Sequence, residues 1–424
     1  MIKFLLKGLL HDRSRSLLPI IVVSLGVMLT VFLHCWIYGI IGDSIRMSAN
    51  FDTGHLKVMT RAYAEKSEQM PNDLAILGAN KLVQELHKDQ PDMDWVQRIR
   101  FGAQMDFPDD KGETRAQGPV AGWALDLLKP GSKEAERFNL EKSIVSGRMP
   151  SKPGEALITD DFAVKFKIRP GDKFTLFGTT MEGSMAFRNF TVAGTVRFGV
   201  GAIDKGAVIT DISDAQQTFA MDDAAGEILG FFSDGNYDLE KASSIAQQFN
   251  ASYESSKDEY APVMLTLRDQ EGMAEMLDYI DAASGIMIFA FLLAMSLVLW
   301  NAGLLGGLRR YNEFGVRLAM GESKSHIFNT LVYEGILIGI IGTIIGTAVG
   351  LAFSYLVHYV GLNTGGMMKN ASIMIPVVVR TEVTPTAYFI GFVPGLLSVV
   401  LGNVLAGIGI YKRQTANLFK ELEV

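Results

Sequence analysis

The hydrophobic positions of the chain are concentrated in four long runs. These runs occupy residues 17–41, 283–305, 330–360 and 387–411. An α-helix rises about 1.5 Å per residue, so about 20 apolar residues cross a hydrocarbon core of roughly 30 Å. Because each run reaches that length, the pattern predicts an integral membrane protein with four transmembrane helices.

The first run has an alternative interpretation as a cleaved signal peptide. It is longer than the apolar core of such a peptide, and no small-residue cleavage site precedes the sequence GDSIRMSANF. We therefore expect a retained first helix.

Charge predicts the orientation of these helices. An amphipathic segment 1–16, the loop 306–329 and the tail 412–424 hold eleven basic and five acidic residues, although the whole chain has a net charge of −7. Short loops rich in Lys and Arg stay in the cytosol. The sequence thus predicts cytosolic termini, with residues 42–282 and a short loop 361–386 outside.

The long segment 42–282 is predicted to form an α+β domain. LGANKLVQELHK has a helical period, whereas EALIT, KFTLFG, FRNFTVAGTV and GAVIT are typical of strands, and RPGD at residues 169–172 is a turn signal. Cys35 is the only cysteine and lies in the first apolar run. This domain is therefore expected to be stabilised by its own core and not by a disulfide.

Motifs for chemistry are absent from the sequence. It contains no G-x-x-x-x-G-K-[ST] phosphate loop, no H-E-x-x-H or other metal spacing among its six histidines, and no G-x-S-x-G. We expect no catalytic residue, metal site or cofactor in this chain, and no nucleic-acid partner.

Ionisable residues are also scarce within the runs. Glu334, His34 and His358 lie near helix ends, where they reach water and do not form an ion path. The composition therefore favours mechanical movement over conduction.

Small residues recur in the third run at Gly335, Gly339, Gly342, Gly346 and Gly350. Such spacing lets another helix approach closely, either within the chain or across a dimer. On the first run, Met28, Phe32 and Trp36 are four residues apart and predict one bulky face, suited to packing, lipid contact or an apolar pocket.

The layout and three sequence stretches resemble one family of transporters. The stretches are RRYNEFGVRLAMGESKSHIF at 309–328, SGRMPSKPGEALITDDFAVKFKIRPGDKFTLFG at 146–178, and IGIYKRQTANLFKEL near the end. Together with one helix, a large outer domain and three further helices, they resemble permeases of the FtsX, MacB and LolC/LolE type. These are membrane subunits of mechanotransmitting ABC transporters. The resemblance implies a MacB-like periplasmic core domain, a bacterial inner-membrane location and a non-catalytic subunit.

The resemblance also implies a role for the loop between the second and third helices. In the family this loop forms a coupling helix that docks on a separate ATPase, present in two copies, which binds ATP and Mg. The residues at matching positions here are Arg309, Arg310, Glu313, Arg317, Gly321, Glu322, Ser323, Lys324, Ser325 and His326. A lipid-headgroup anchor made of the same basic residues is the alternative.

The stretches FRNFTVAGT and GAVITDISDAQQTFAM look most like the lipoprotein-releasing branch. That likeness implies a paired permease, a copy or a paralogue, that draws lipoproteins from the membrane and passes them to a periplasmic carrier. The candidate acyl-chain residues are Met28, Phe32, Trp36, Phe289 and Leu293. The short GTTMEGSMA hairpin departs from the carrier-binding partner of such pairs.

Other functions stay open at this point. The chain could instead be a MacB-like exporter of peptides or small toxins, or an FtsX-like regulator of a periplasmic partner. A ligand sensor would need a cytosolic signalling domain, for which the short tail leaves no room.

Overall fold

The computed structural model describes residues 13–109, 111–199, 201–270, 272–363 and 378–412. Its α-helices are α1 (Arg13–Ser48), α2 (Arg61–Ala64), α3 (Ala79–Asp89), α4 (Glu134–Arg137), α5 (Leu140–Ser143), α6 (Asp160–Phe166), α7 (Gly201–Asp204), α8 (Ile212–Phe219), α9 (Leu239–Ala251), α10 (Met273–Leu308), α11 (Tyr311–Ala319), α12 (Lys324–Val360) and α13 (Val399–Lys412). Short 3₁₀-helices span Ser67–Gln69, Asn72–Leu74 and Pro385–Tyr388, and π-helical turns span Ala49–Thr53 and Val393–Ser398.

The β-strands are β1 (Leu56–Thr60), β2 (Ile76–Leu77), β3 (Met93–Pro108), β4 (Thr114–Leu125), β5 (Ile144–Gly147), β6 (Glu155–Thr159), β7 (Lys173–Thr179), β8 (Met185–Val196), β9 (Ala207–Asp211), β10 (Ala224–Ala225), β11 (Glu227–Phe232), β12 (Pro262–Thr266), β13 (Leu362–Asn363) and β14 (Val378–Val379).

Within the described residues, four helical segments are long and apolar enough to cross a membrane. They span Leu17–Thr53, Met273–Ala319, Lys324–Val360 and Pro385–Gly409. The predicted fold class, a bundle of four membrane helices with an α+β domain between the first and second, is confirmed. The helices extend past the apolar runs, because α10 begins at Met273 and α12 begins at Lys324. Most of the predicted segments 1–16 and 412–424, and part of 361–386, lie outside the described residues.

The glycines predicted to form a packing stripe on the third helix are buried. The first two lie against the fourth membrane segment, and the last three lie against α1. A Cβ atom on Gly346 would be 2.5 Å from the Ser24 carbonyl oxygen and 2.8 Å from Cβ of Val27. Only a glycine permits this approach of two helix backbones, so the stripe serves packing within the chain.

The fourth membrane segment is an irregular helix, although the sequence predicted a single helix over 387–411. A 3₁₀-helix and a π-helical turn precede α13. Pro394 lies in the π turn and has no N–H to donate, which accounts for the break in the regular ladder. Next to it, Gly395 lies so close to Thr343 and Val27 that a side chain would overlap both.

The outer domain is built on a ten-stranded sheet, in which nine strands follow the order β12-β1-β11-β3-β4-β9-β6-β8-β5 and β7 pairs with β3 and β8. The β4–β9 and β6–β8 pairs are parallel, whereas the others are antiparallel. The four predicted strands coincide with β6 to β9, and the predicted helix with α3. At the predicted turn, Gly171 has a φ of +97° and the N–H of Asp172 donates to the Arg169 carbonyl at 3.0 Å.

The long strand β3 joins two hydrophobic cores of this domain. Its first part pairs with β11 and its second part with β4. Trp95 belongs to a core beneath α3 and α9, and Phe101 and Phe107 belong to a second core with Phe174 and other aromatic side chains. One strand therefore links the two halves of the domain.

Candidate functional site

The polar loop between the second and third membrane helices is an ordered helix and turn. After α10 ends at Leu308, α11 spans Tyr311–Ala319 and α12 begins at Lys324. Between them Gly321 has a φ of +95°, a conformation that suits glycine. Ser323 then caps α12, because its hydroxyl oxygen accepts from the N–H of His326 at 3.3 Å.

One face of α11 is buried against the ends of the third and fourth helices. Tyr311 and Phe314 pack with Ile327, Leu331 and Ala406. The Tyr311 hydroxyl donates to the Ala406 carbonyl oxygen at 2.7 Å. These contacts attach α11 to α12 and α13.

Arg310 ties the start of α11 to the third helix. Its guanidinium forms an ion pair with Glu334, and its Nε donates to Oε2 of Glu313 at 3.3 Å. All three side chains are partly buried, which reduces solvent screening of the pair.

A second brace closes the Gly321 turn. Arg317 donates from Nε and Nη2 to the two carboxylate oxygens of Glu322, each at 2.6 Å. This bidentate bond lowers the pKa of the Glu322 carboxyl below its ordinary value. His326 lies next to the same carboxylate, with Nε2 3.4 Å from Oε1.

The opposite face of α11 is exposed and partly apolar, a feature that the sequence reasoning missed. Val316 is 49% exposed and Met320 75% exposed, and Ala319 and Gly321 beside them are exposed as well. We call these four residues the loop tip. The available signal was the helical period, since Val316 and Met320 are four residues apart and lie opposite Tyr311.

Two groups can be distinguished among the predicted coupling residues, besides Arg309 and the turn residues Gly321 and Ser323. Arg310, Glu313, Arg317 and Glu322 brace the loop internally. The first turn of α12 contains Lys324, Ser325 and His326, the latter two exposed. The Arg309 side chain is exposed and makes no hydrogen bond or ion pair with another described residue.

The structure does not bring the predicted acyl-chain residues together into one pocket within the chain. Phe32 lies against Trp36 and against Phe353 of α12, with ring centroids 5.9 Å and 4.9 Å apart. Phe289 and Leu293 are 67% and 52% exposed on α10.

The reason is the rotation of α10 about its axis. This helix turns Ile288, Leu292 and Leu299 toward the bundle core. Met295 and Leu299 also lie close to Gly26 of α1. Residues one position away along a helix point about 100° apart, so Phe289 and Leu293 face outward.

A second set of polar contacts lies in the outer domain and was also missed by sequence reasoning. Arg98 is 1% exposed and donates to both carboxylate oxygens of Glu134, at 2.6 and 3.1 Å. It also donates to the Phe51 carbonyl at 3.2 Å, in the π turn that continues α1. Arg100 donates to Asp52 of the same turn at 2.5 Å.

The segment that leads into α10 is attached at the same place. Gln270 donates from Nε2 to the Thr53 carbonyl at 2.9 Å. Arg98 and Arg100 are two positions apart on β3 and therefore point to the same face of the strand. The segments that follow the first helix and precede the second are thus both bound within the outer domain.

Among the residues that the structure describes, no group of His, Cys, Asp and Glu side chains is arranged to hold a metal ion. The polar clusters described above consist of ion pairs and hydrogen bonds.

The region that contains the polar loop is similar to a known protein family. Residues 285–415 match the family model described as FtsX-like permease C-terminal. No curated protein sequence matches the chain. A solved structure with some likeness is that of the periplasmic region of MacB from Actinobacillus actinomycetemcomitans, with 11% identity and a TM-score of 0.35. The match covers 55% of this chain and 95% of that one.

Proposed function

We propose that this chain, whose residues 285–415 match an FtsX-like permease model, is the membrane subunit of an ABC transporter of that type. It passes the movement of a separate ATPase to its own outer domain. ATP and Mg bind to that partner, of which two copies work with two permease chains. The protein lies in the bacterial inner membrane. By the positive-inside rule, its basic loop and both termini are on the cytosolic side.

The observation that carries this proposal is the attachment of the loop. Its buried side packs on the ends of the third and fourth helices, and Arg310 is paired with Glu334 of α12. Its other side presents the exposed loop tip. An ATPase that binds Val316 and Met320 can thus move the membrane helices without bending the loop.

The contacts of the turn that follows the first helix support the second step of the mechanism, in which movement of the helices reaches the outer domain. Because Arg98 and Arg100 hold the Ala49–Thr53 turn, a shift of this turn is delivered to β3. That strand connects the two cores of the outer domain. We infer that the domain changes shape or moves as a body when the helices tilt.

For the substrate, we propose lipoproteins that are drawn from the inner membrane toward a periplasmic carrier. The sequences at 187–195 and 206–221 support this choice by their likeness to the lipoprotein-releasing branch. The outward faces of Phe289 and Leu293 are available to an acyl chain or to a second permease.

The proposal is tested by affinity purification of the tagged, solubilised chain, with proteomics and lipid analysis of what is retained. An ABC ATPase together with triacylated lipoproteins supports extraction. An ATPase with a periplasmic hydrolase or an outer-membrane channel, and without lipoprotein, assigns the chain to the regulator or exporter class. Retention of no ATPase contradicts the proposal at its core.

A further inference from the structure

A cavity of about 250 Å³ lies within the membrane helices, near the polar loop. It is lined by residues from α1, α10, α12 and α13. Of its lining residues, Arg310, Glu334 and Leu331 also take part in the contacts that attach the loop. The question is which molecule its chemistry fits.

The lining changes from polar to apolar along the helices. Arg309 and Glu334 lie at the loop end, whereas Val23, Ile338 and Val399 lie farther along their helices. Ala302 and Arg309 both line it, and seven residues of helix correspond to roughly 10 Å. A ligand that matches this gradient has an anionic head and an apolar tail.

Two polar side chains at the cavity have no partner among the described residues. The guanidinium of Arg309 forms no hydrogen bond or ion pair there, although Arg310 next to it is paired with Glu334. Asn403 is 6% exposed, and its amide forms no hydrogen bond with a described residue. The Asn403 amide is not among the fully enclosed polar groups, so it is accessible from the cavity that it lines, and a polar atom of a ligand there can bond to it.

The cavity has apolar residues at its exposed margin. Leu18 of α1 and Leu305 of α10 line it and are largely exposed. Such side chains on membrane helices lie in contact with lipid, so a lipid molecule has a direct path of entry.

We propose that this cavity binds one anionic phospholipid from the leaflet on the side of the polar loop. The phosphate accepts hydrogen bonds from Arg309, the Asn403 amide bonds an ester or phosphate oxygen, and an acyl chain lies against Val23, Ile338 and Val399. The bound lipid fills the space beside the Arg310–Glu334 pair and supports the attachment of the loop to α12.

Native mass spectrometry of the purified full chain tests this site. The delipidated protein in neutral detergent is incubated with phosphatidylglycerol or with phosphatidylcholine of the same acyl chains. We expect one phosphatidylglycerol to be retained per chain in preference to phosphatidylcholine. Excess inorganic phosphate should not displace it, because phosphate lacks the apolar tail.

Arg309→Gln should lower retention of phosphatidylglycerol about tenfold and remove the preference between the two lipids, as expected for loss of a charge-assisted hydrogen bond. Because Arg309 is exposed and unpaired among the described residues, this variant should fold normally. Unchanged retention by Arg309→Gln would overturn the site.

A matched pair of glycine variants separates the cavity from the rest of the helix surface. Gly306 lines the cavity, and a Cβ placed on it meets no atom within 4 Å. Gly285 lies on the same helix with equally open space, outside the cavity lining. Gly306→Leu should reduce retention of lipid, whereas Gly285→Leu should not.

Two outcomes would refute the assignment. One is equal lipid retention by the two glycine variants. The other is a change in oligomeric state with Gly306→Leu while lipid retention is unaltered, which would assign the cavity to a second copy of the chain.

Discussion

Arg98 and Glu134 form a buried bidentate ion pair, and the same guanidinium donates to the Phe51 carbonyl at the end of the first helix. The pair thus helps to hold the Ala49–Thr53 turn, which Arg100 also contacts through Asp52. Because both side chains are at most 1% exposed, loss of one partner leaves a buried charge.

Glu134→Gln is therefore expected to destabilise the outer domain by about 3–5 kcal/mol. Glu85→Gln is a suitable control, since Glu85 pairs with Lys81 at 3.8 Å on an exposed helix face and should cost less than about 1 kcal/mol. Hydrogen exchange of β3 and β11 amides in the full chain measures the difference. Equal protection of these amides in Glu134→Gln and Glu85→Gln would mean that the Arg98–Glu134 pair does not hold the Ala49–Thr53 turn.

The Arg317–Glu322 brace is expected to govern the efficiency of coupling more than stability. Both side chains are at least a fifth exposed, so Glu322→Gln should alter the free energy of unfolding by less than about 1 kcal/mol. The ratio of substrate moved to ATP hydrolysed should fall severalfold, because the turn at Gly321 is no longer closed.

The charge-exchanged double variant Arg317→Glu with Glu322→Arg provides the control for this prediction. If the brace acts through pairing, the double variant recovers coupling that each single variant loses. If the loss of coupling in the double variant equals the sum of the losses in the two single variants, each residue contacts the ATPase separately.

His55 is expected to make the stability of the outer domain dependent on pH. Burial lowers the pKa of His55 to about 4, and its Nδ1 accepts from the N–H of Phe232 at 3.0 Å, which requires that this nitrogen be unprotonated. In the unfolded chain the imidazole binds a proton below about pH 6.5. Between pH 6.5 and 4 the unfolded state therefore binds more protons, and stability falls as the pH is lowered.

The loss should reach about 3 kcal/mol by pH 4 and then level off for this residue. The Glu155 carboxyl, whose pKa the Arg148 hydrogen bonds lower to about 2, loses its contribution mostly at lower pH. Thermal unfolding of wild type and His55→Phe across pH 4–7 isolates the effect. If the stability of His55→Phe still falls with pH as steeply as that of the wild type, another group causes the pH dependence.

Packing of the third helix on the first is expected to fail when Gly346 acquires a side chain. Gly346→Ala places a methyl group 2.5 Å from the Ser24 carbonyl, so it should destabilise the bundle by about 1–3 kcal/mol. Gly285→Ala has open space and gains helix propensity, and it should be neutral or slightly stabilising. Thermal stability of both variants in one detergent compares them, and equal midpoints would contradict this packing.

The membrane segments were accessible to sequence reasoning because their signal is local. Length and apolar content alone identify the runs that lie within α1, α10 and α12. The rotation of each helix was not accessible. A lipid-facing side is as apolar as a core-facing side, so nothing in the sequence separates Phe289 from Ile288, which packs into the bundle.

The ion pairs of the loop were likewise only partly predictable from the sequence. The presence of Arg317, Gly321 and Glu322 in the loop was evident. The bidentate pairing of Arg317 with Glu322 depends on the left-handed backbone between them, which fixes a distance that helical spacing does not predict. In the outer domain, β6 to β9 followed their alternating pattern, but the contact of Arg98 with Glu134 joins residues whose proximity only the fold creates.

The most direct test of the account is a photo-crosslink from Met320 of the loop tip in living cells. A photoreactive amino acid at position 320 should give an adduct with an ABC ATPase, because this exposed side chain belongs to the loop tip that the proposed mechanism assigns to the ATPase. The same amino acid at position 185, which replaces the exposed Met185 of β8, should give none. If position 320 yields no ATPase adduct, or if both positions yield it equally, the loop is not the site through which the permease is driven.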